Sequence, residues 1–335
     1  MVSTIPFPKI GQSKTPSVLV VILNWNSPHE TCTAVESVLR TSYPNFSIVV
    51  IDNGSTDDSI AILEKVTNDR VQLIKSPANT GFTGGSNLGF DLALQSDADY
   101  VWLVNNDSVV DFSTLSSLVN IAEHDGTIGL ISPVIASLQE PSKLLNAGGL
   151  YVPEIPAFNS TKNLEEAHEW AATSPNRIML MGTALLVRVA LIRTIGTLDT
   201  AMFAYWEDTD FSLRSIKAGF RNVVDFDSKI YHKEKSADTA AHEMKPHYWY
   251  YMARNEIRFW KKHAEFSTRI KPIWWLYEHQ LRNLRLLHGN EVSRQAILAG
   301  LWDGLLNKTG AYHSGRRMPR LLAWTIEYHT EKHPA

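Results

Sequence analysis

The chain has 335 residues, 44% of them hydrophobic, with a net charge of −3 and one cysteine. That length and apolar content fit one large α/β domain with an appendage, while the lone Cys32 excludes an intramolecular disulfide and fits a reducing compartment. No stretch reaches the roughly 18–20 uninterrupted apolar residues of a spanning helix, so the expected protein is cytoplasmic, either soluble or peripheral at the inner face of the cell membrane.

The first 16 residues are polar, contain prolines and lack the pattern of a secretory leader, so they read as a loose tail. A continuous apolar run predicts a strand over 17–24, a helical pattern follows over 29–41, and a second apolar run gives a strand over 46–52. Thr56 or Asp57 is placed to cap a helix over 58–67. A short strand over 71–75 leads to a loop rich in Gly and Asn over 79–86, then a helix over 87–95 and a strand over 100–104. A helix over 111–124 and a strand over 128–133 complete the alternation, which predicts βαβ units with right-handed crossovers. Residues 136–176 are irregular and read as a hairpin with an excursion over the sheet. A strand over 182–188 and a short helix to 195 follow. A helix opened by Trp206-Glu207-Asp208-Thr209-Asp210 ends at Gly219, and strands cover 221–226 and 229–232. The polar stretch 233–246 reads as a flexible loop, and 247–307 has a helical pattern.

Three of the apolar runs end abruptly in amides and carboxylates: Asn24-Trp25-Asn26, Asp52-Asn53-Gly54-Ser55-Thr56-Asp57 and Asn105-Asn106-Asp107. Open α/β sheets bind ligands outside the carboxyl ends of their strands. A carboxylate such as Asp52 can accept from a base imide or from ribose hydroxyls, although the same letters also make Asx turns and helix caps. Asn79-Thr80-Gly81-Phe82-Thr83-Gly84-Gly85-Ser86-Asn87 can bring backbone N–H groups to an anion, or can be a plain loop; its spacing is neither a Walker loop nor G-x-G-x-x-G. Asn105 and Asp107, one residue apart, offer oxygen ligands to a hard cation or form an Asx turn. Glu207, Asp208 and Asp210 crowd three carboxylates into four positions at a helix start, beside Tyr205 and Trp206. Such acids can simply serve the helix dipole, or can act on a sugar hydroxyl beside a flat aromatic face. His232 ends a strand and is either structural or a metal ligand.

In this order, the segments resemble glycosyltransferase family 2, in particular its rhamnosyltransferase-like members that extend bacterial surface polysaccharides. The matching pieces are Val21-Ile-Leu-Asn24-Trp-Asn26, Ile51-Asp52-Asn-Gly-Ser-Thr-Asp57, Asn79-x-Gly-Phe-x-Gly-Gly-x-Asn87, Leu103-Val-Asn-Asn-Asp107 and Gly182-Thr-Ala-Leu-Leu-Val-Arg188. Phe203-Ala-Tyr-Trp-Glu207-Asp208-Thr-Asp210 and Ile230-Tyr-His232 follow, and Tyr250-Tyr-Met-Ala-Arg254-Asn255 is also similar. The resemblance implies a GT-A (Rossmann-like) α/β fold, a mostly parallel sheet flanked by helices with a C-terminal helical extension. It divides the chain into a tail over 1–16, a catalytic domain over 17–245 and a basic helical region over 246–335. Within the catalytic domain, 17–135 is the nucleotide-binding half and 136–245 the acceptor half.

The implied activity is inverting transfer of a sugar from a nucleotide diphosphate, first dTDP-rhamnose and next a UDP-hexose, to a surface polysaccharide or lipid-linked saccharide. In that reading Asp52 contacts the base and Asn24 lines the nucleoside pocket. Asn26, Asn53, Asn79, Gly84, Asn87 and Asn106 complete the nucleotide-binding set. Asp107 and His232 hold Mg2+ or Mn2+, Asp208 is the base, and Trp206, Glu207 and Asp210 face donor or acceptor sugar. Asn105 departs from the family, where many relatives have Asp. A non-catalytic nucleotide-sugar-binding protein on the same fold remains the alternative. A nicotinamide oxidoreductase is disfavoured by the missing glycine fingerprint after the first strand.

Charge is unevenly distributed. From Lys245 to Ala335 there are 15 Lys/Arg against 7 Asp/Glu, a balance of +8, so the preceding residues carry −11. Trp, Tyr and Leu mixed with Arg and Lys over 248–260 and 273–287 fit peripheral membrane contact through 246–307, or packing on the catalytic domain or a second subunit. No compact basic patch supports nucleic-acid binding, and oligomeric state is left open.

Overall fold

The computed structural model describes residues 15–152, 157–233, 244–264 and 270–332. Most of the expected tail and of the expected 233–246 loop therefore lies outside the described residues. The elements run β1 (Val18–Asn24), α1 (Pro28–Leu39), β2 (Phe46–Asp52), α2 (Ser59–Leu63), β3 (Val71–Lys75), α3 (Gly81–Leu94), β4 (Tyr100–Asn105), β5 (Ser108–Val110) and α4 (Thr114–His124). Then come β6 (Ile128–Ser137), β7 (Leu144–Asn146), β8 (Gly149–Val152), β9 (Ala157–Ser160), α5 (Leu164–Thr173), β10 (Ile178–Met179), β11 (Ala184–Arg188) and α6 (Val189–Ile195). The chain closes with α7 (Glu207–Lys217), β12 (Arg221–His232), α8 (Pro246–His263), α9 (Ile270–Leu286), α10 (Glu291–Leu305) and α11 (Arg320–Lys332). These group into two compact units. The first comprises Met1–Tyr151, Asn159–Leu198 and Phe211–Glu234, and the second Val152–Phe158, Asp199–Asp210 and Lys235–Ala335.

In the first unit the main sheet runs β3-β2-β1-β4-β11-β6-β12-β5, with β7 paired to β6. Strands β3, β2, β1 and β4 are mutually parallel. The continuous apolar runs follow from burial on both faces: Val18, Val20 and Ile22 of β1 enter one core with α1 and α4, while Leu19 and Val21 enter the other with α3 and α6. Beyond β4 the sheet is mixed rather than mostly parallel, because β11 inserts antiparallel between β4 and β6. The two strands expected over 221–232 are one, β12, with a register irregularity between Asp225 and Lys229.

Two helices depart from expectation. Helix α3 starts at Gly81, so most of the supposed loop is helical. A Cβ on Gly85 would lie 2.4 Å from Leu23 Cδ1, and one on Gly89 2.5 Å from Val21 Cγ2, so these glycines let α3 lie close on β1. Helix α5 falls within the stretch expected to be irregular; Asn163 caps it by accepting from Glu165 N (2.8 Å) and Glu166 N (3.4 Å).

In the second unit α10 packs tightly on α8. A Cβ on Gly300 would meet Tyr250 O at 2.4 Å, and one on Gly304 would meet Arg254 O at 2.9 Å. Trp249, Tyr250 and Tyr251 of α8 join Leu284, Ile297 and Leu298 in one buried core. Of the two uses open to the α8 aromatics, membrane contact or packing, these three residues are spent on packing. Helix α11 lies beyond the expected helical stretch.

Candidate functional site

The parallel register sets Asn24 beside Asp52 and Leu23 beside Asn105, so the amide and carboxylate runs share one edge of the first unit's sheet. A connected polar network crosses it. Asn106 Nδ2 donates to Thr31 Oγ1 (3.1 Å), Thr31 Oγ1 to Asn24 Oδ1 (2.7 Å), and Asn24 Nδ2 to Asp52 Oδ1 (2.8 Å) and Ser55 Oγ (3.1 Å). Ser55 N donates to Asp52 Oδ2 at 3.1 Å. Asp52 is thus a buried carboxylate whose direction is fixed by neutral donors. Asn26, in left-handed backbone at φ 53°, joins β1 to the β2 turn by accepting from Thr56 N (2.8 Å). Gly54 is required in that turn: its φ is +71°, and a Cβ would lie 2.5 Å from the Ala78 carbonyl carbon.

Further along the edge, antiparallel pairing of β12 with β5 places His232 opposite Ser108. The His232 Nε2 atom comes 3.1 Å from Asp107 Oδ1, with both side chains partly exposed. One carboxylate and one imidazole make a donor set that fits a divalent cation taking its other ligands from a diphosphate and water. Among the described residues no cluster of three or more His, Cys, Asp or Glu side chains could hold a metal without such help.

In the second unit, Phe203, Tyr205 and Trp206 have φ values of 64°, 67° and 71° just before the Glu207-Asp208 pair. Left-handed backbone costs roughly 1–2 kcal/mol per residue, and helix α8 offsets it. Arg254 donates to Met202 O (2.6 Å) and Ala201 O (3.2 Å), while Asn255 Nδ2 donates to Met202, Ala204 and Tyr205 carbonyls, each at 2.8 Å. Asp208 is partly exposed, its Oδ1 accepting from Thr209 N at 2.7 Å. Glu207 is buried with Oε2 unpartnered. Burial, and then the neighbouring Asp208 carboxylate, push its acid up to about 8.

Residues 19–179 match the model of glycosyl transferase family 2. That stretch, just under half of the chain, is similar to glycosyl transferase family 2 domains. The chain is 27% identical over 215 residues to a galactofuranosyltransferase of Mycobacterium tuberculosis, covering 61% of this chain and 66% of that relative. It is 23% identical to an O-antigen biosynthesis protein of Myxococcus xanthus over 70% of this chain and 19% of that much longer protein. Among solved structures, a mannosyltransferase from Pyrobaculum calidifontis in complex with GDP-Man and Mn2+ superposes with a TM-score of 0.55 at 15% identity, over 94% of this chain and 80% of that one. The match spans just under two thirds of the first relative's length. The mixed α/β fold is that of GT-A glycosyltransferases.

Several of the expected site residues are buried inside the fold. Asn24 is fully buried and supports Asp52 from behind rather than lining a pocket. Asn53 is committed to the start of α3, donating to Gly81 O (3.0 Å) and accepting from Thr80 N (3.1 Å). Asn87 clamps the Leu198 backbone, donating to its carbonyl and accepting from its N–H, each at 2.9 Å. In the second unit, Asp210 is fully buried against Lys262 Nζ and His263 Nε2, each at 2.8 Å, so it has no face for a sugar. Trp206 is buried with its ring against Phe259, centroids 5.2 Å apart, and offers no open platform. Asn26 is exposed and Asn79, Asn106 and Asp107 are partly exposed at the sheet edge, and Gly84 is partly exposed in the first turns of α3. Sequence reasoning missed Thr31, which an amphipathic helix hides among small residues. It also passed over Trp25, an aromatic 49% exposed beside Asn24, where flanking amides drew the attention.

Proposed function

We propose that the protein transfers a sugar, with inversion, from a nucleotide diphosphate to a saccharide hydroxyl in the building of a surface polysaccharide or lipid-linked glycan. The observation that carries this reading is the Asp107–His232 contact at the sheet edge that also carries Asp52, both aspartates lying in the stretch similar to family 2. Asp52, oriented by Asn24 and Ser55, accepts from the base or ribose, and exposed Asn26 with partly exposed Asn79 and Asn106 contributes polar contacts. Asp107 and His232 would hold Mg2+ or Mn2+, which would supply charge neutralisation on the departing diphosphate. Asp208 accepts the proton of the acceptor hydroxyl while its oxygen bonds to the anomeric carbon. The bond from that carbon to the diphosphate breaks, and the diphosphate leaves with the electron pair. One displacement inverts the anomeric centre, so no nucleophilic side chain is needed.

The donor to try first is dTDP-rhamnose, followed by UDP-hexoses and GDP-mannose. Incubation of each with the protein and Mn2+ is expected to release the nucleoside diphosphate from one of them, by slow hydrolysis or by transfer to an added saccharide. Tight binding of a nucleotide sugar with no turnover under any condition would instead favour a non-catalytic binding protein, the reading that Asn105 supports.

A further inference from the structure

We propose that helix α11 is an interfacial helix that seats the second unit on an anionic lipid surface. Its inner face, Ala323 and Ile326, packs on the aromatic core built by α8, α9 and α10. Its outer face carries large apolar side chains with solvent exposure: Leu321 is 74%, Trp324 60% and Tyr328 40% exposed, with Thr325 also exposed among them. Leu321, Trp324 and Tyr328 stand at i, i+3 and i+7, a single stripe of a 3.6-residue helix opposite Ala323 and Ile326. The Trp324 and Tyr328 rings stack with centroids 5.4 Å apart, presenting one continuous aromatic surface.

Three features commit this face to a bilayer rather than to a second copy of the chain. Its large side chains are Leu, Trp and Tyr, whose aromatic members suit the headgroup boundary, not the aliphatic knobs of a helix-pairing seam. Arg317 and Arg320 lie exposed at its start, while the flanking Glu327 faces Arg294 at 3.8 Å. The region from Lys245 onward carries +8, opposite in sign to an anionic leaflet. A helix of 13 residues is about 20 Å long, too short to cross a membrane, so it lies in the plane of the interface.

This assignment does not depend on the proposed transfer activity. The test is co-sedimentation of the full chain with phosphatidylglycerol–phosphatidylcholine vesicles and with pure phosphatidylcholine vesicles. Wild type is expected to bind the anionic vesicles, to bind neutral ones about tenfold less, and to weaken as salt is raised. Leu321→Ser with Trp324→Ser is expected to lower anionic-vesicle binding by about tenfold or more at unchanged thermal midpoint, since both side chains are solvent-facing. Arg317→Glu with Arg320→Glu tests the same face through charge alone, should the apolar variant misfold. Wild type that stays in the supernatant with anionic vesicles overturns the proposal, as does unchanged binding by both variants. A wild-type dimer in light scattering that the Leu321→Ser/Trp324→Ser variant converts to monomer, without vesicle binding, assigns the face to a second copy and also overturns it.

Discussion

The pair Glu207-Asp208 puts two carboxyl groups next to each other in very different surroundings. Asp210, two positions further on, is neutralised by Lys262 and His263. Asp208 is partly exposed, whereas Glu207 is buried and pushed up to about 8. Neighbouring carboxyls of which one is buried and the other reachable are a common arrangement for dividing roles at a site. The base assignment predicts that Asp208→Asn folds, keeps nucleoside-diphosphate affinity and loses transfer by about a hundredfold or more, measured by product release and by nucleotide titration. Near-wild-type turnover would remove Asp208 from the mechanism. Glu207 has a consequence for stability. The folded protein holds its proton up to about pH 8, while the unfolded chain releases it near 4.5, so folding takes up a proton in that window. Stability therefore falls as pH rises from the lower value to the upper and is flat above it. Glu207→Gln is expected to raise the thermal midpoint, with a gain that is small near pH 5 and reaches a few kcal/mol, in order of magnitude, by about pH 8. A gain independent of pH would show that the carboxyl is ionised in the folded state.

At the scale of elements, α3 and α8 show opposite uses of small and large residues. Gly85 and Gly89 remove side chains so that α3 can lie against Leu23 and Val21 of β1, which fixes the segment carrying Asn79 over the strand ends. Gly89→Ala is expected to cost about 1–3 kcal/mol, because its Cβ would sit 2.5 Å from Val21. Adding Val21→Ala should return part of that loss, read from urea midpoints; strict additivity of the two changes would deny the contact. Helix α8 instead uses long polar side chains, Arg254 and Asn255, to hold the backbone that leads into Glu207. Tyr250-Tyr-Met-Ala-Arg254-Asn255 was visible in the sequence as a motif, but its targets are main-chain carbonyls some 50 positions upstream. Carbonyls carry no sequence signature, so the motif's use could not be read. Gly85 was visible as well, in a stretch that reads either as an anion-approaching loop or as a plain one, because periodicity cannot tell a glycine needed for packing from one needed for a turn.

For the whole molecule, nucleotide binding and stability are linked. A diphosphate bound only by the folded protein, present at a hundredfold over its Kd, adds about 2.7 kcal/mol of stability. Thermal midpoints are expected to rise with the diphosphate of one base more than with the others, and to rise further with Mn2+. No shift with dTDP, UDP or GDP, with or without metal, would contradict the nucleotide-sugar reading. The charge division, −11 before Lys245 and +8 from it onward, was plain in the sequence, and so were β1, β2 and β4, because buried parallel strands carry continuous apolar runs. The location of the polar edge followed from the same rule, since each apolar run has to end where the sheet does. The sequence by itself therefore determined the fold class, the carboxyl edge of the sheet and the candidate carboxylates Asp52, Asp107 and Asp208. Only the tertiary structure decided which polar residues face outward and which are spent inside. Asn24, Asn53, Asn87 and Asp210 look like ligands in one dimension because they carry donor and acceptor atoms. In three dimensions those atoms are consumed by Asp52, Gly81, Leu198, Lys262 and His263, since a buried polar group must find a partner.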